Sequence, residues 1–162
     1  MGNQTSSEDL QKIIKEAKET KTLNLQNQNL SKLPSFKLDY EAITGLDLSY
    51  NQFEDVPAAV SKFPNLTYLT LANNKIVRFT IPHMQKLEKI DMAFNPLVEL
   101  PADLHEKTPN LLALTIYDCA VTKLPVEIFT TLKNLTAVVN GNHLHIGPDH
   151  IPYEITARLP GT

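Results

Sequence analysis

Residues 66–76 read Leu66-Thr67-Tyr68-Leu69-Thr70-Leu71-Ala72-Asn73-Asn74-Lys75-Ile76, and residues 87–97 read Leu87-Glu88-Lys89-Ile90-Asp91-Met92-Ala93-Phe94-Asn95-Pro96-Leu97. Both carry one pattern, Leu-x-x-Leu-x-Leu-x-x-Asn-x-Leu, with Ile or Met standing in for Leu. The alternation at Leu69/Leu71 and at Ile90/Met92 is that of a short strand burying one face. The Asn that follows falls where the chain must turn out of the strand, with backbone N–H and C=O groups left pointing inward. A carboxamide carries both the donors and the acceptor that such a turn needs.

The same register extends in both directions. Indexed by the first apolar residue of each strand it runs Leu23, Leu46, Leu69, Ile90, Leu114 and Ala137, in steps of 23, 23, 21, 24 and 23 residues. Five residues after each index lies a ladder position, filled by Gln28, Asn51, Asn74, Asn95, Cys119 and Asn142. Cys119 is expected to be a buried rung and not a nucleophile, because no His–Asp pair is tied to it in this register. Leu33-Pro34, Val56-Pro57, Leu100-Pro101 and Leu124-Pro125 recur ten and eleven residues after the index, where proline removes a donor as the chain leaves the sheet. The stretches after Pro57 and Pro125 are too brief for stable isolated helices and predict single helical or 3₁₀ turns. The third unit has Phe79-Thr80 in place of Leu-Pro and a shorter return, which predicts a tighter convex side there.

The expected fold class is an α/β solenoid: a curved repeat stack with a parallel concave β-sheet, convex 3₁₀ or helical turns and an N-terminal capping helix. Residues 7–20 supply that helix, with Glu8 and Asp9 in its first turn and Leu10, Ile13, Ile14 and Ala17 forming one apolar stripe. The expected divisions are 1–6 (a flexible acylation signal), 7–20 (the cap), 21–146 (six repeats) and 147–162 (a tail or minimal cap). Solenoid ends need atypical capping units. The segment after Ile146 has no amphipathic helix, so the expectation is that it folds back as a minimal cap, leaves an edge open to self-association, or marks a product shorter than a complete ancestral form.

Composition narrows the function. The 162 residues hold 15 basic and 18 acidic side chains, a net charge of −3, with no basic run dense enough to track phosphates, so a nucleic-acid partner is not expected. A single cysteine favours a reducing compartment. No signal-peptide h-region and no spanning apolar segment are visible. The five glycines are scattered and form no phosphate loop. His143, His145 and His150 lack a completing ligand set, so neither metal nor cofactor is expected. Asp47 and Asp91 lie two strands apart, about 10 Å, too far for a sharply coupled acid–base pair. The expectation is a non-enzyme.

Met1-Gly2-Asn3-Gln4-Thr5-Ser6 matches the N-myristoylation signal, with Gly2 as the acceptor after methionine removal. One acyl chain gives marginal, reversible attachment, so the expected location is cytoplasmic with peripheral membrane association.

Residues before and between the inward-facing leucines should line the concave face. So should the two columns that follow them, Gln26, Ser49, Ala72, Ala93, Tyr117 and Asn140, then Asn27, Tyr50, Asn73, Phe94, Asp118 and Gly141. Most of these residues are small or polar. The exceptions cluster in the middle repeats: Tyr50, Tyr68, Phe94 and Tyr117, with Asp47, Asp91 and Asp118 around them. Rings rimmed by carboxylates are the composition of an interface that receives a partner's Arg or Lys, so these seven residues are the candidate protein-binding site, for a partner with a basic contact surface.

On its repeats, residues 21–146 resemble the leucine-rich repeat superfamily in its intracellular class of about 23 residues. The Asn ladder and the Leu-Pro steps carry the likeness. The Met-Gly-Asn start, the leading helix and the opening Thr22-Leu23-Asn24-Leu25 are also similar to small N-myristoylated leucine-rich repeat-containing proteins. That resemblance implies an adaptor or regulator without catalysis, of a kind whose relatives bind small GTPases, kinases or phosphatases.

Overall fold

The computed structural model describes residues 7–144. The acylation signal at 1–6 with Gly2, the last two residues of the 21–146 repeat unit, and the 147–162 tail lie outside the described residues. Helix α1 (Ser7–Thr20) leads into six three-residue strands: β1 (Thr22–Asn24), β2 (Gly45–Asp47), β3 (Tyr68–Thr70), β4 (Lys89–Asp91), β5 (Ala113–Thr115) and β6 (Thr136–Val138). They form one parallel sheet in sequence order. Pairing aligns Leu23, Leu46, Leu69, Ile90, Leu114 and Ala137 across it. The molecule is a curved parallel β-solenoid interleaved with short helices and 3₁₀ turns.

Each strand ends after three residues, yet the cross-repeat bonding continues. Leu48 N–H donates to Thr70 C=O and Tyr50 N–H to Ala72 C=O, and Leu71, Asn73, Met92 and Phe94 repeat this one unit on. The return segments differ from unit to unit. Pro57 and Pro125 each stand immediately before a turn, a 3₁₀ helix at Ala58–Lys62 and helix α3 at Val126–Thr131. Helix α2 (Leu104–Lys107) follows Pro101, whose carbonyl accepts from Leu104 N–H. The short third unit has no helical turn between β3 and β4. The first unit has its own turn at Tyr40–Ala42, capped by the Asp39 side chain accepting from Glu41 N–H.

The core is a continuous column of the pattern's apolar residues, with Leu23, Leu46, Leu69 and Ala137 fully buried, joined by Phe53, Phe63 and Phe129 from the return segments. Tyr40 packs edge-on against Phe63 at 4.9 Å between centroids. At the N-terminal end, Ala17 is in the core and Ile13 packs on it, whereas Leu10 and Ile14 do not belong to that contact set. The apolar stripe of α1 is thus divided, one half against the stack and the other lining a groove shared with residues 34–37.

The ladder bonds explain the recurrence of Asn. Asn74 donates to Leu48, Leu71 and Ala72 carbonyls and accepts from Phe53 N–H at 3.0 Å. Asn95 donates to Leu71, Met92 and Ala93 carbonyls and accepts from Ile76 N–H at 2.9 Å. Asn51 accepts from both Gln28 and Leu30 N–H, and Asn142 accepts from Val121 N–H. Gln28 uses its side chain within its own turn, donating to Gln26 C=O. Cys119 donates its S–H to Met92 C=O at 3.4 Å. Burial raises its thiol pKa most, and the Asn95 backbone opposes this. Sulfur replaces the carboxamide's donor but is a weak acceptor where the other rungs hold an N–H. Restoring the acceptor with Cys119→Asn is therefore expected to raise stability by about 1 kcal/mol. An unchanged or lower urea midpoint would show instead that the larger side chain overpacks the site.

Candidate functional site

The column of strand-ending residues, Asn24, Asp47, Thr70 and Asp91, has a structural task. Asn24 Oδ1 accepts from Gln26 N–H, Asp47 Oδ1 from Ser49 N–H and Oγ, and Asp91 Oδ1 from Ala93 N–H. Thr70 Oγ1 makes the matching bond to Ala72 N–H at 3.4 Å. Each side chain bonds its own backbone two residues on, closing the strand exit as an Asx- or ST-turn. For Asp47 and Asp91 these bonds all fall on one carboxylate oxygen, Oδ1.

Tyr68 lies within the electrostatic reach of both carboxylates. Burial raises its phenol pKa most, a hydrogen bond with Thr70 opposes this, and Asp47 and Asp91 raise it further. Asp91 is itself raised, first by burial, with the Ala93 N–H opposing and Asp47 adding. Asp47, Tyr68, Thr70 and Asp91 thus form one group across three adjacent strands. A second group is Phe94 with Tyr117, edge to face at 5.2 Å between centroids. Asp118, beside Tyr117, acts on Cys119 together with Asp91. Tyr50 is the most exposed of the rings, at 52%. None of Asp47, Asp91 and Asp118 is in an ion pair among the described residues.

The column two residues before the ladder is mostly covered. Ser49, Ala72 and Ala93 are buried and offer nothing to a partner, while Tyr117 in the same column is exposed. Ala72 and Ala93 are covered without joining the core.

The column one residue before the ladder shows what periodicity alone missed. Asn27, Tyr50, Asn73, Phe94 and Asp118 have φ between 52° and 56°, and Gly141 has φ 76°. This is the left-handed region, easy for Gly and tolerable for Asn or Asp, but costing a bulky residue about 1–2 kcal/mol. The Asn, Asn and Gly at 27, 73 and 141 were the readable signal. Tyr50 and Phe94 hold the same backbone at a conformational cost and leave their rings exposed. A second outer ladder also escaped the pattern: Asn65 donates to Glu41 C=O, Lys86 to Asn65 Oδ1, and Asn110 to Gln85 C=O, tying successive return segments.

Comparison with known proteins accords with this architecture. Residues 18–76 match the family model described as Leucine rich repeat. Rat (Rattus norvegicus) osteomodulin is 30% identical over 122 residues, covering 73% of this chain and 29% of its own length. The non-catalytic subunit of Oplophorus-luciferin 2-monooxygenase from Oplophorus gracilirostris is 27% identical over 95 residues, covering 59% of this chain and 25% of its own. The chain therefore spans between a quarter and a third of the length of these curated relatives. Among solved structures, a leucine-rich repeat protein of Leptospira interrogans superposes with a TM-score of 0.63 at 23% identity, over 80% of this chain and 40% of that one. A chain of the TLR13–ssRNA13 complex superposes with a TM-score of 0.57 at 26% identity, over 63% and 15% respectively. The protein carries a leucine-rich repeat domain. Such domains are typically non-catalytic protein-interaction scaffolds, with specificity residing in the displayed side chains. No described helix is long and apolar enough to cross a membrane.

Proposed function

We propose that this chain is a non-enzymatic adaptor or regulator of the intracellular 23-residue class, binding a protein with a basic contact surface on its concave face. The supporting observation is the pair of exposed rings, Tyr50 and Phe94, kept at backbone positions that disfavour them, in the same repeats as Asp47 and Asp91, neither of which is in an ion pair among the described residues. Strain maintained at exposed positions is a mark of functional sites. Tyr68 and Tyr117 extend the aromatic surface, and Asp47, Asp91 and Asp118 offer acceptors to an incoming Arg or Lys. In the same reading, myristate on Gly2 gives cytoplasmic protein a reversible foothold on membranes, with the bound partner as the second anchor.

Affinity capture from cells tests both parts. Tyr68→Ala with Tyr117→Ala is expected to reduce capture of the native partner at least tenfold while leaving the circular dichroism spectrum unchanged. Equal capture by this variant would remove the concave face from the argument. Gly2→Ala is expected to shift the chain from the membrane fraction to the cytosol, and an unchanged partition would refute acylation.

A second reading, self-association, draws on the outer edge of β6, which has no strand partner among the described residues. A monomer by light scattering at high concentration counts against it.

A further inference from the structure

The N-terminal helix and the first return loop enclose a groove of about 460 Å³, lined by Leu10, Gln11, Ile14, Lys15, Lys18 and the loop residues 34–37. Its floor is apolar: Leu10 and Ile14 from the half of the helix stripe that is not packed on the core, with Pro34 and Phe36 facing them. Its rim is cationic, from Lys15, Lys18 and Lys37, and no acidic side chain lines it. Glu16 lines a separate 240 Å³ recess with Ile13, Thr20, Thr22 and Asn24. At 100° per residue the helix places Lys15 and Lys18 on one side of its stripe and Asp9 and Glu16 on the other, while Glu8, Lys12 and Glu19 lie on the polar face behind it. None of the three lysines is in an ion pair among the described residues.

We propose that this groove binds the monomeric carboxylate of a long-chain fatty acid, its alkyl chain on Leu10, Ile14, Pro34 and Phe36 and its carboxylate among the lysines. The volume falls in the range of small-molecule sites, which combine a mostly apolar lining with a few placed polar groups. Charge complementarity selects an anionic head. The lining also disfavours a peptide, which brings N–H and C=O groups in every residue, whereas the only uncharged polar side chains here are Gln11 and Ser35. An alkyl chain brings none, and each methylene removed from water contributes favourably. This site is independent of the concave face and of any acyl group on Gly2.

Titration of the full chain with palmitate below its aggregation threshold, read by displacement of a fluorescent fatty-acid probe, tests the assignment. Saturable one-to-one binding is expected. Lys15→Gln, Lys18→Gln and Lys37→Gln together should weaken it about tenfold, the scale of three exposed charge contacts. Ile14→Asn should weaken palmitate and palmityl alcohol alike, whereas the triple lysine variant should weaken only palmitate. Glu16→Gln, on the opposite flank, should leave the affinity unchanged. Circular dichroism on each variant separates lost binding from a lost helix. Absence of saturable binding would overturn the proposal, as would a triple variant that binds palmitate like the wild type. Co-sedimentation with phosphatidylserine vesicles without binding of monomeric palmitate would also overturn it, reassigning the lysines to a membrane surface.

Discussion

Asn95→Ala is expected to destabilise the protein by about 2–4 kcal/mol, measured as a lowered urea midpoint with an unchanged m-value. The carbonyls that Asn95 serves each keep another donor: Leu71 from Asn74, Met92 from Cys119, and Ala93 from Asn73 N–H. The acceptor is the irreplaceable part. Ile76 N–H points at Asn95 Oδ1, and Ile76 is fully buried, so the alanine variant strands a donor away from water. The neighbouring rung is Cys119, whose sulfur cannot compensate, so two consecutive turns would lack a carboxamide. Asn95→Asp separates the two roles. It keeps the acceptor, but places a buried carboxylate against three carbonyl oxygens, and a larger loss than for alanine is expected. Equal stability of Asn95→Ala and the wild type would mean that the N–H at 76 finds water.

Tyr50→Asn is expected to move stability and binding in opposite directions. The residue sits at φ 56°, where Asn27 and Asn73 serve in other repeats, so the substitution relieves about 1 kcal/mol of backbone strain. Tyr50 is 52% exposed and takes no part in the core, so little packing is lost. A ring at the centre of an interface is worth at least 2 kcal/mol when truncated, about a thirtyfold loss of affinity. Phe94→Asn should weaken binding similarly but gain less stability, because it forfeits the edge-to-face contact with Tyr117, worth about 0.5–1.5 kcal/mol. A thermal melt and a titration with the captured partner check each arm. Binding unchanged in Tyr50→Asn would remove this ring from the proposed surface, and lowered stability would mean that the ring is packed in a way its exposure does not suggest.

Strand order and register were legible because each unit repeats the same burial problem. Leu23, Leu46 and Leu69 must all face inward, and a shift of one residue in any unit would expose its leucines. The ladder was legible for a related reason: few side chains meet both donor and acceptor demands in a buried turn. The columns between were less so. Asp47 and Asp91 read as free carboxylates, yet each first closes its own strand exit, and Ser49, Ala72 and Ala93 read as concave but are covered by their neighbours. Side-chain type shows what a residue can bond, whereas its partner depends on the φ and ψ of the following turn.

Sequence alone determined the repeat, its 21- to 24-residue steps, the apolar column and the asparagine rungs, because periodic burial leaves a periodic mark. Tertiary structure alone decided which aromatic rings stand at left-handed positions, which carboxylates share one group, and which lysines of α1 meet the 34–37 loop around a groove. Those are relations between residues brought together by the turns, over separations at which a linear pattern carries no distance.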